Sequence, residues 1–321
     1  MVEMRIVFLG TSAAVPTATR GLSSAAIIRG RELLIFDVGE GMQQNFIKSR
    51  LGFNRKLKIF ITHMHADHCL GVLGLLQTLS LLGREAPVDI FGPPKFARFI
   101  KANMNILSFG LIFEVRVIPI EKEGMVVKER DYLVSCCNAQ HISPTYAFCV
   151  IEQERAGIFN IEKIKKLGIP EGHLYKRLQS GEDVTYGGKH ILSTDVIGPK
   201  RPGRKVGISA DTRPTNKLRD FFRNCDLLVF DSTYSQNQWQ KAKDRMHSTA
   251  SEAAILAQAA GAKKLLLTHF SARYADTIEL VNEARAFHNN VEAAEDMRIV
   301  EIPYEDAKDI GTTENGTAKK S

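Results

Sequence analysis

Disulfide chemistry has little to work with in this chain. Its five cysteines, Cys69, Cys136, Cys137, Cys149 and Cys225, are odd in number and show no Cys-x-x-Cys spacing. No disulfide framework follows, and a reducing compartment is the simpler setting. Long apolar runs are missing as well: no stretch approaches the length that spans a bilayer. Met1 to Met4 leads into a strand-like run, Arg5 to Gly10, with no signal-peptide pattern. The expected location is cytoplasmic, with no membrane partner. What the chain does have is bulk: 321 residues, 44% apolar and 25% charged, enough for one large α/β domain or two small ones. A net charge of +7 and a pI near 9.1 suit an anionic partner without naming it.

The densest chemistry lies in Phe60-Ile61-Thr62-His63-Met64-His65-Ala66-Asp67-His68. An apolar strand runs into His63, His65, Asp67 and His68, and no single ideal helix or flat strand packs all four. A loop at the strand's end could fold them around a cation, because neutral imidazole and carboxylate are ligands that suit zinc. Room for more than one ion is implied by so many donors in so short a span.

Strands are expected at Arg5–Leu9, Ala25–Ile28, Leu33–Phe36, Glu114–Ile118, Tyr132–Cys136 and Tyr146–Ile151. Apolar residues at helical spacing mark Gly71–Leu82 and Lys95–Ile106. Later come strands near Arg204–Ile208, Leu227–Phe230, Lys264–Thr268 and Met297–Ile302, and helices over Thr249–Ala259 and Thr277–Phe287. Strands mixed with helices in this way predict a layered α/β fold. From about 153 to 200 the chain turns basic and glycine-containing, with apolar residues too sparse for a core of its own, so an arm projecting from the domain is expected. Two segment pairs echo each other: Leu33–Asp37 with Leu227–Asp231, and Ile59–His63 with Leu265–His269.

Further candidates stand singly. His141 follows the Tyr132–Cys136 strand, His269 ends an apolar strand, and Asp211 could serve a metal or cap the helix starting near Pro214. Asp37 could orient ligands or merely turn the chain. The His63–His68 pattern resembles the signature of the metallo-β-lactamase superfamily. More narrowly, Asp37-Val38-Gly39-Glu40-Gly41-Met42-Gln43, Asp211-Thr212-Arg213-Pro214, Met246-His247-Ser248-Thr249-Ala250 and Thr268-His269-Phe270-Ser271-Ala272-Arg273-Tyr274 resemble, in order, segments of the tRNA 3′-endonucleases known as ribonuclease Z. The resemblance runs from about residue 4 to 303.

The resemblance implies a four-layer αββα metallo-β-lactamase sandwich over 1–307, with an inserted tRNA-binding arm at 153–200. The polar, glycine-containing composition of 308–321 predicts a disordered tail. The resemblance also implies two zinc ions per subunit, or manganese in their place. His63, His65 and His141 would hold one ion, Asp67, His68 and His269 the other, and Asp211 would bridge. His247, with Ser248 as the expected cap of the next helix, would donate the proton to the leaving 3′-oxygen. Asp231 would steady it with a shorter reach than the family's usual glutamate. Ser271, Arg273 and Arg20 would bind substrate, together with Lys163, Lys165, Lys166, Lys176 and Arg177 of the arm. The loop Pro16–Gly21 keeps the family's Pro and Arg but has Ala18 and Gly21 where Lys and Asn are common. The implied partners are precursor tRNA and a second copy of the chain, and the implied products are a tRNA 3′-hydroxyl and a 5′-phosphorylated trailer. Another hydrolase of the superfamily, a small-molecule phosphodiesterase or arylsulfatase-like enzyme, would leave the basic arm without a purpose. A non-catalytic RNA-binding module would lack ligands, and every ligand position is filled.

Overall fold

The computed structural model describes residues 2–107 and 110–305, so the tail expected at 308–321 lies outside the described residues. The main unit, residues 1–151 and 205–321 in chain extent, is built on two seven-stranded sheets. In the first, the strand order is Ile299–Glu301, Met4–Gly10, Ser24–Arg29, Glu32–Phe36, Lys56–Phe60, Val88–Gly92 and Val115–Pro119. In the second it is Val291–Ala293, Leu265–Thr268, Leu227–Asp231, Lys205–Ile208, Tyr146–Glu152, Tyr132–Asn138 and Gly124–Lys128.

The layering follows from two-sided burial. Along Met4–Gly10, Met4, Ile6 and Phe8 join the core between the sheets, while Val7 and Leu9 face the helices outside. A strand buried on both faces has to be apolar throughout, which is why Leu33–Phe36 and Leu227–Phe230 show no polar alternation. Phe36, Phe60 and Phe91 of the first sheet stack on Phe148 of the second or on each other, with Phe36–Phe60 and Phe60–Phe148 centroids 5.0 and 5.4 Å apart. Burying each such ring contributes about 1.5–3 kcal/mol. Helices Met42–Lys48, Gly71–Leu81 and Pro94–Ile106 cover the first sheet, and Asn216–Phe221, Ala250–Ala260 and Ile278–Arg285 cover the second. This is the expected αββα sandwich.

The turn after Phe36 shows why its glycines are needed. A Cβ on Gly39 would lie 2.6 Å from the Leu22 Cβ, and one on Gly71 would lie 2.1 Å from the Gly39 carbonyl oxygen. Gly41 caps the helix Met42–Lys48 at φ 79°, a left-handed conformation open to glycine. Asp37 is thereby fixed against the helix that carries His68.

Residues 152–204 form a second compact unit, and here the expectation of too few apolar residues for a core is corrected. Ile164, Ile169, Leu174, Leu178, Val184, Ile191 and Val196 are buried together. They are sparse in sequence because each short element supplies only one or two: helices Ile161–Leu167, His173–Gln179 and Ser193–Val196, and the hairpin Val184–Tyr186 with Lys189–Ile191. The glycines serve as punctuation. Gly168 ends a helix at φ 63°, and Gly187-Gly188 turn the hairpin at φ 57° and 75°. The unit's first and last residues, the buried Glu152 and Arg204, pair through Arg204 Nε to Glu152 Oε2 at 2.8 Å and Arg204 Nη2 to Glu152 Oε1 at 2.9 Å. Lys163, Lys165, Lys166, Lys176 and Arg177 are all exposed on its two longer helices, and Arg177 pairs with Glu182 at 2.9 Å.

Candidate metal and catalytic site

Parallel strands deliver the site from their carboxyl ends. Glu32–Phe36 and Lys56–Phe60 run side by side, ending at Asp37 and at Thr62-His63. In the other sheet Lys205–Ile208, Leu227–Asp231 and Leu265–Thr268 are parallel neighbours, leading to Asp211, Asp231 and His269. Several turns here hold non-glycine residues at positive φ: Ala14 57°, Asp37 59°, Ala210 59°, Met246 58° and His269 62°. Such backbone is costly and persists where surrounding bonds fix it, commonly at functional sites.

The hydrogen bonds settle which imidazole nitrogens carry protons. The Thr62 hydroxyl donates to Asp37 Oδ2 at 2.8 Å, so it accepts from His63 Nδ1 at 2.9 Å. The Thr233 hydroxyl donates to Asp231 Oδ1 at 2.6 Å and accepts from His269 Nδ1 at 2.9 Å. His68 Nδ1 donates to Asp37 Oδ2 at 2.8 Å, and His141 Nδ1 to the Met246 carbonyl at 3.0 Å. Each of these histidines, in its neutral form, therefore turns an Nε2 lone pair inward. Those lone pairs converge on Asp211 Oδ2, at 3.2 Å from His68, 3.3 Å from His269, 3.7 Å from His63 and 3.9 Å from His141.

Lone pairs and a carboxylate facing one another across 3–4 Å repel unless a cation lies among them. His63 Nε2 makes the point: it is fully buried and has no hydrogen-bond partner among the described residues. The donor atoms of His63, His65, His141 and Asp211 lie within 4.8 Å of one another, and so do those of Asp67, His68 and His269. A third group joins Asp211 and His269 to Asp231 and His247, but the Asp231 oxygens are already engaged by donors. Burial pushes the imidazoles of His63, His65 and His141 toward the neutral form, the one that ligates a metal. Burial alone would raise the Asp67 carboxyl, yet its bond to His269, with His68 beside it, holds it well below the usual carboxylate range. The Ala14 amide donates to Asp67 Oδ2 at 2.8 Å.

His247 stands beside this cluster, with Nδ1 3.0 Å from Asp231 Oδ2 and 3.2 Å from the Thr233 hydroxyl. The shorter aspartate reaches it. Burial lowers the His247 pKa, but the charge and hydrogen bond of Asp231, with Asp211 behind them, raise it to about 9. Arg213 was not singled out by sequence, though it lies in one of the motifs: it grips Glu252 with both guanidinium nitrogens and donates to the His247 carbonyl at 2.6 Å. Thr62, Thr233 and the Ala14 amide were missed for the same reason, since a hydroxyl or amide acquires such a role only through register. The helix Ala250–Ala260 is capped by Thr249, in a capping box with Glu252, rather than by the expected Ser248, whose hydroxyl donates to the Thr212 carbonyl. Nor does Asp211 cap a helix: Thr215 does, accepting from the Leu218 amide at 3.2 Å.

A chamber of about 490 Å³ opens beside His65, Asp67, His141, Asp211, His247 and His269. Ser271 and Arg273 line it too, Arg273 Nε donating to Ser271 Oγ at 3.0 Å while its guanidinium lies over Tyr234. Arg20 is elsewhere. Its guanidinium donates to the Tyr274 carbonyl at 2.9 Å and lies over Phe270, bracing the turn behind Arg273, and it lines a separate cavity.

Comparison with known proteins bears on this geometry. A curated ribonuclease Z of Nitrosopumilus maritimus is 48% identical over 299 residues, 93% of this chain and 100% of the relative. The chain belongs to the ribonuclease Z family. Another member, from Methanosarcina acetivorans, is 40% identical over 302 residues, 94% of this chain and 99% of the relative. Among solved structures, the short form of human tRNase Z matches with a TM-score of 0.69 and 29% identity, covering 93% of this chain and 99% of that one. Family models described as a beta-lactamase superfamily domain and as anti-Pycsar protein Apyc1 match residues 193–270 and 4–157. The metallo-beta-lactamase fold protein YhfI of Bacillus subtilis, TM-score 0.65 at 17% identity with 94% of this chain and 100% of that one covered, shares the fold. Membership in the ribonuclease Z family makes the chain an enzyme, a hydrolase of the nuclease class, and a divalent-metal site goes with its fold. No helix among the described residues is long and apolar enough to cross a membrane.

Proposed function

We propose that the enzyme cuts the 3′ trailer from precursor tRNA, leaving a 3′-hydroxyl on the tRNA and a 5′-phosphate on the trailer. The observation that carries this reading is His247, hydrogen-bonded to a buried carboxylate and facing the chamber beside the convergent donors. His63, His65 and His141 would hold one zinc ion and Asp67, His68 and His269 a second, with Asp211 available to either; manganese is the alternative ion. Bound there, the pair supplies Lewis-acid polarisation of the phosphate and a water of lowered pKa. Asp67, kept ionised by its neighbours, takes a proton from the attacking water. As the new P–O bond forms and the bond to the tRNA 3′-oxygen breaks, His247 gives its proton to that oxygen. Asp231 orients the imidazole and stabilises its charged form. Ser271 and Arg273 hold the scissile phosphate.

The unit 152–204 grips the body of the tRNA through Lys163, Lys165, Lys166, Lys176 and Arg177, and the enzyme works in the cytoplasm as a homodimer. The exposed lysines and the chain's net charge of +7 support the tRNA contact, and the dimer and the compartment rest on the family resemblance. The deciding experiment incubates the zinc-loaded protein with a precursor tRNA carrying a trailer and maps both new ends. Cleavage at the trailer junction with the stated termini is expected. Inertness toward the precursor alongside brisk hydrolysis of small phosphodiesters would favour a small-molecule phosphodiesterase instead.

A further inference from the structure

One wall of the chamber has no part in the chemistry above. The helix Trp239–Asp244 and the turn through Met246 lead straight into His247. Met246 is held at φ 58° and its carbonyl receives His141, so the segment is pinned where it meets the site. Lys241 and Arg245, one helical turn apart, both line the chamber. Both are exposed, and neither side chain makes an ion pair among the described residues. Asp244, which also lines the chamber, accepts from Gln240 Nε2 at 2.9 Å. Lys243 of the same helix lies over the Trp239 ring, 5.3 Å from its centroid, and does not line the chamber. Arg273, whose guanidinium donates to Gln238 Oε1 at 2.9 Å just before this helix, adds a third cation to the chamber beside the proton donor.

We propose that Lys241 and Arg245 form a phosphate subsite for the RNA strand on the leaving-group side, holding the phosphate that precedes the last nucleotide of the mature tRNA. This rests on the nuclease reading and deepens it. His247 protonates the 3′-oxygen of the tRNA portion, so the segment that carries His247 faces that portion. The next backbone phosphate on that side is one nucleotide away. Arg245 can meet it with two parallel N–H bonds and Lys241 as a point charge. Ser271 and Arg273, on a different strand end, are left for the scissile phosphate.

The test uses the zinc-loaded full chain and two substrates: a precursor tRNA, and an acceptor-stem hairpin with the same trailer but no elbow for the arm to grip. Lys241→Ala/Arg245→Ala is expected to raise KM about tenfold on both substrates with kcat within about threefold, because the subsite binds ground and transition states alike. The slope of log kcat/KM against log salt should become shallower by about one. Lys241→Arg/Arg245→Lys should recover most of the loss, while Lys243→Ala and hydrolysis of bis(p-nitrophenyl) phosphate should be unchanged. A neutral methylphosphonate at the phosphate preceding the last tRNA nucleotide should cost the wild type the same tenfold and the double variant nothing more. Unchanged KM, an equal loss in Lys243→Ala, or coupling to a trailer-side methylphosphonate would overturn the assignment. A wild type that cuts neither RNA would instead overturn the nuclease reading itself.

Discussion

Replacing Asp231 by asparagine tests the proton-donor arrangement with the least change of shape. The carboxylate is buried and saturated. Oδ1 accepts the Thr233 amide at 3.0 Å and its hydroxyl at 2.6 Å. Oδ2 accepts the Thr212 amide at 3.0 Å, the Ser248 amide at 3.3 Å and His247 Nδ1 at 3.0 Å. An asparagine has one acceptor oxygen. Facing it toward Thr212, Ser248 and His247 turns its NH2 against the Thr233 amide, which is left without a partner at about 1–3 kcal/mol. Losing charge assistance in the His247 bond adds about 1 kcal/mol. The fold should weaken by about 2–4 kcal/mol, a fall in Tm on the order of 10 °C.

The effect on chemistry is separate. A proton donor acts below its own pKa, and the Asp231 charge is what holds His247 up near 9 against burial. Without it the alkaline limb of kcat should move to lower pH, and kcat at neutral pH should fall about 10²–10³-fold, within the usual worth of a positioned general acid. Single-turnover cleavage of precursor tRNA across pH, with bound metal and Tm measured on the same samples, reads all three effects. A lower Tm with kcat within threefold and an unmoved limb would refute the role given to His247 and Asp231. Asp231→Glu, which restores the family's usual residue, should not recover wild-type behaviour. The extra methylene overpacks a site built around the shorter side chain, at about 1–3 kcal/mol.

Three further outcomes are expected. Asp67→Ala should lose about one bound ion per chain and abolish cleavage while leaving precursor-tRNA binding intact; full metal content with near-normal turnover would sink the two-ion assignment. Exchanging residues 153–200 for a glycine-serine linker should remove most tRNA affinity at matched salt, yet keep bis(p-nitrophenyl) phosphate hydrolysis within about tenfold. Glu129→Gln should cost about 1–2 kcal/mol at pH 7 in a denaturant titration, since it weakens the hold on Lys58, which is 3% exposed with its Nζ 2.8 Å from Glu129. Burial raises the Glu129 carboxyl, but Lys56 and Lys58 outweigh it and hold it low. Its contribution is therefore present above the ordinary glutamate pKa near 4.3 and is lost as pH falls, so the gap between variant and wild type should close in acid.

Sequence reading located the strands that are buried on both faces, because continuous apolar runs such as Leu33–Phe36 and Leu265–Leu267 admit few other structures. It passed over Val88–Gly92, where Asp89 breaks the run, because that residue is drawn outward to Arg116 at 2.6 Å. The core of residues 152–204 was illegible for a different reason. Ile164, Leu174, Leu178 and Val184 come from separate short elements, and no window of sequence is dense enough to reveal that they meet. Among site residues, the histidines and aspartates announced themselves by type and spacing. Thr62, Thr233 and Arg213 did not, since the threonines matter only for the imidazole proton each fixes and Arg213 only for the backbone carbonyl and carboxylate it holds.

The two echoed segment pairs bring those threonines into one argument. In the first sheet, Phe36 pairs with Phe60, and the residues just beyond are Asp37 and Thr62-His63. In the second, Asp231 pairs with Thr268, with His269 next. Each half joins a buried carboxylate to a threonine hydroxyl and that hydroxyl to a histidine Nδ1: Asp37–Thr62–His63 and Asp231–Thr233–His269. The threonine follows the second strand in one half and the first strand in the other, so the shared feature is the hydrogen-bond pattern, not the sequence position. Each carboxylate also takes a second histidine through Nδ1, His68 at 2.8 Å and His247 at 3.0 Å. Here the halves part. His68 is wholly buried and turns its Nε2 onto Asp211 among the converging donors, whereas His247 comes from a segment beyond the sheet and lines the open chamber. In the proposed mechanism one bonding scheme thus serves an ion ligand in the enclosed half and a proton donor in the half that opens to the chamber, and the difference lies in where the second histidine enters from the chain.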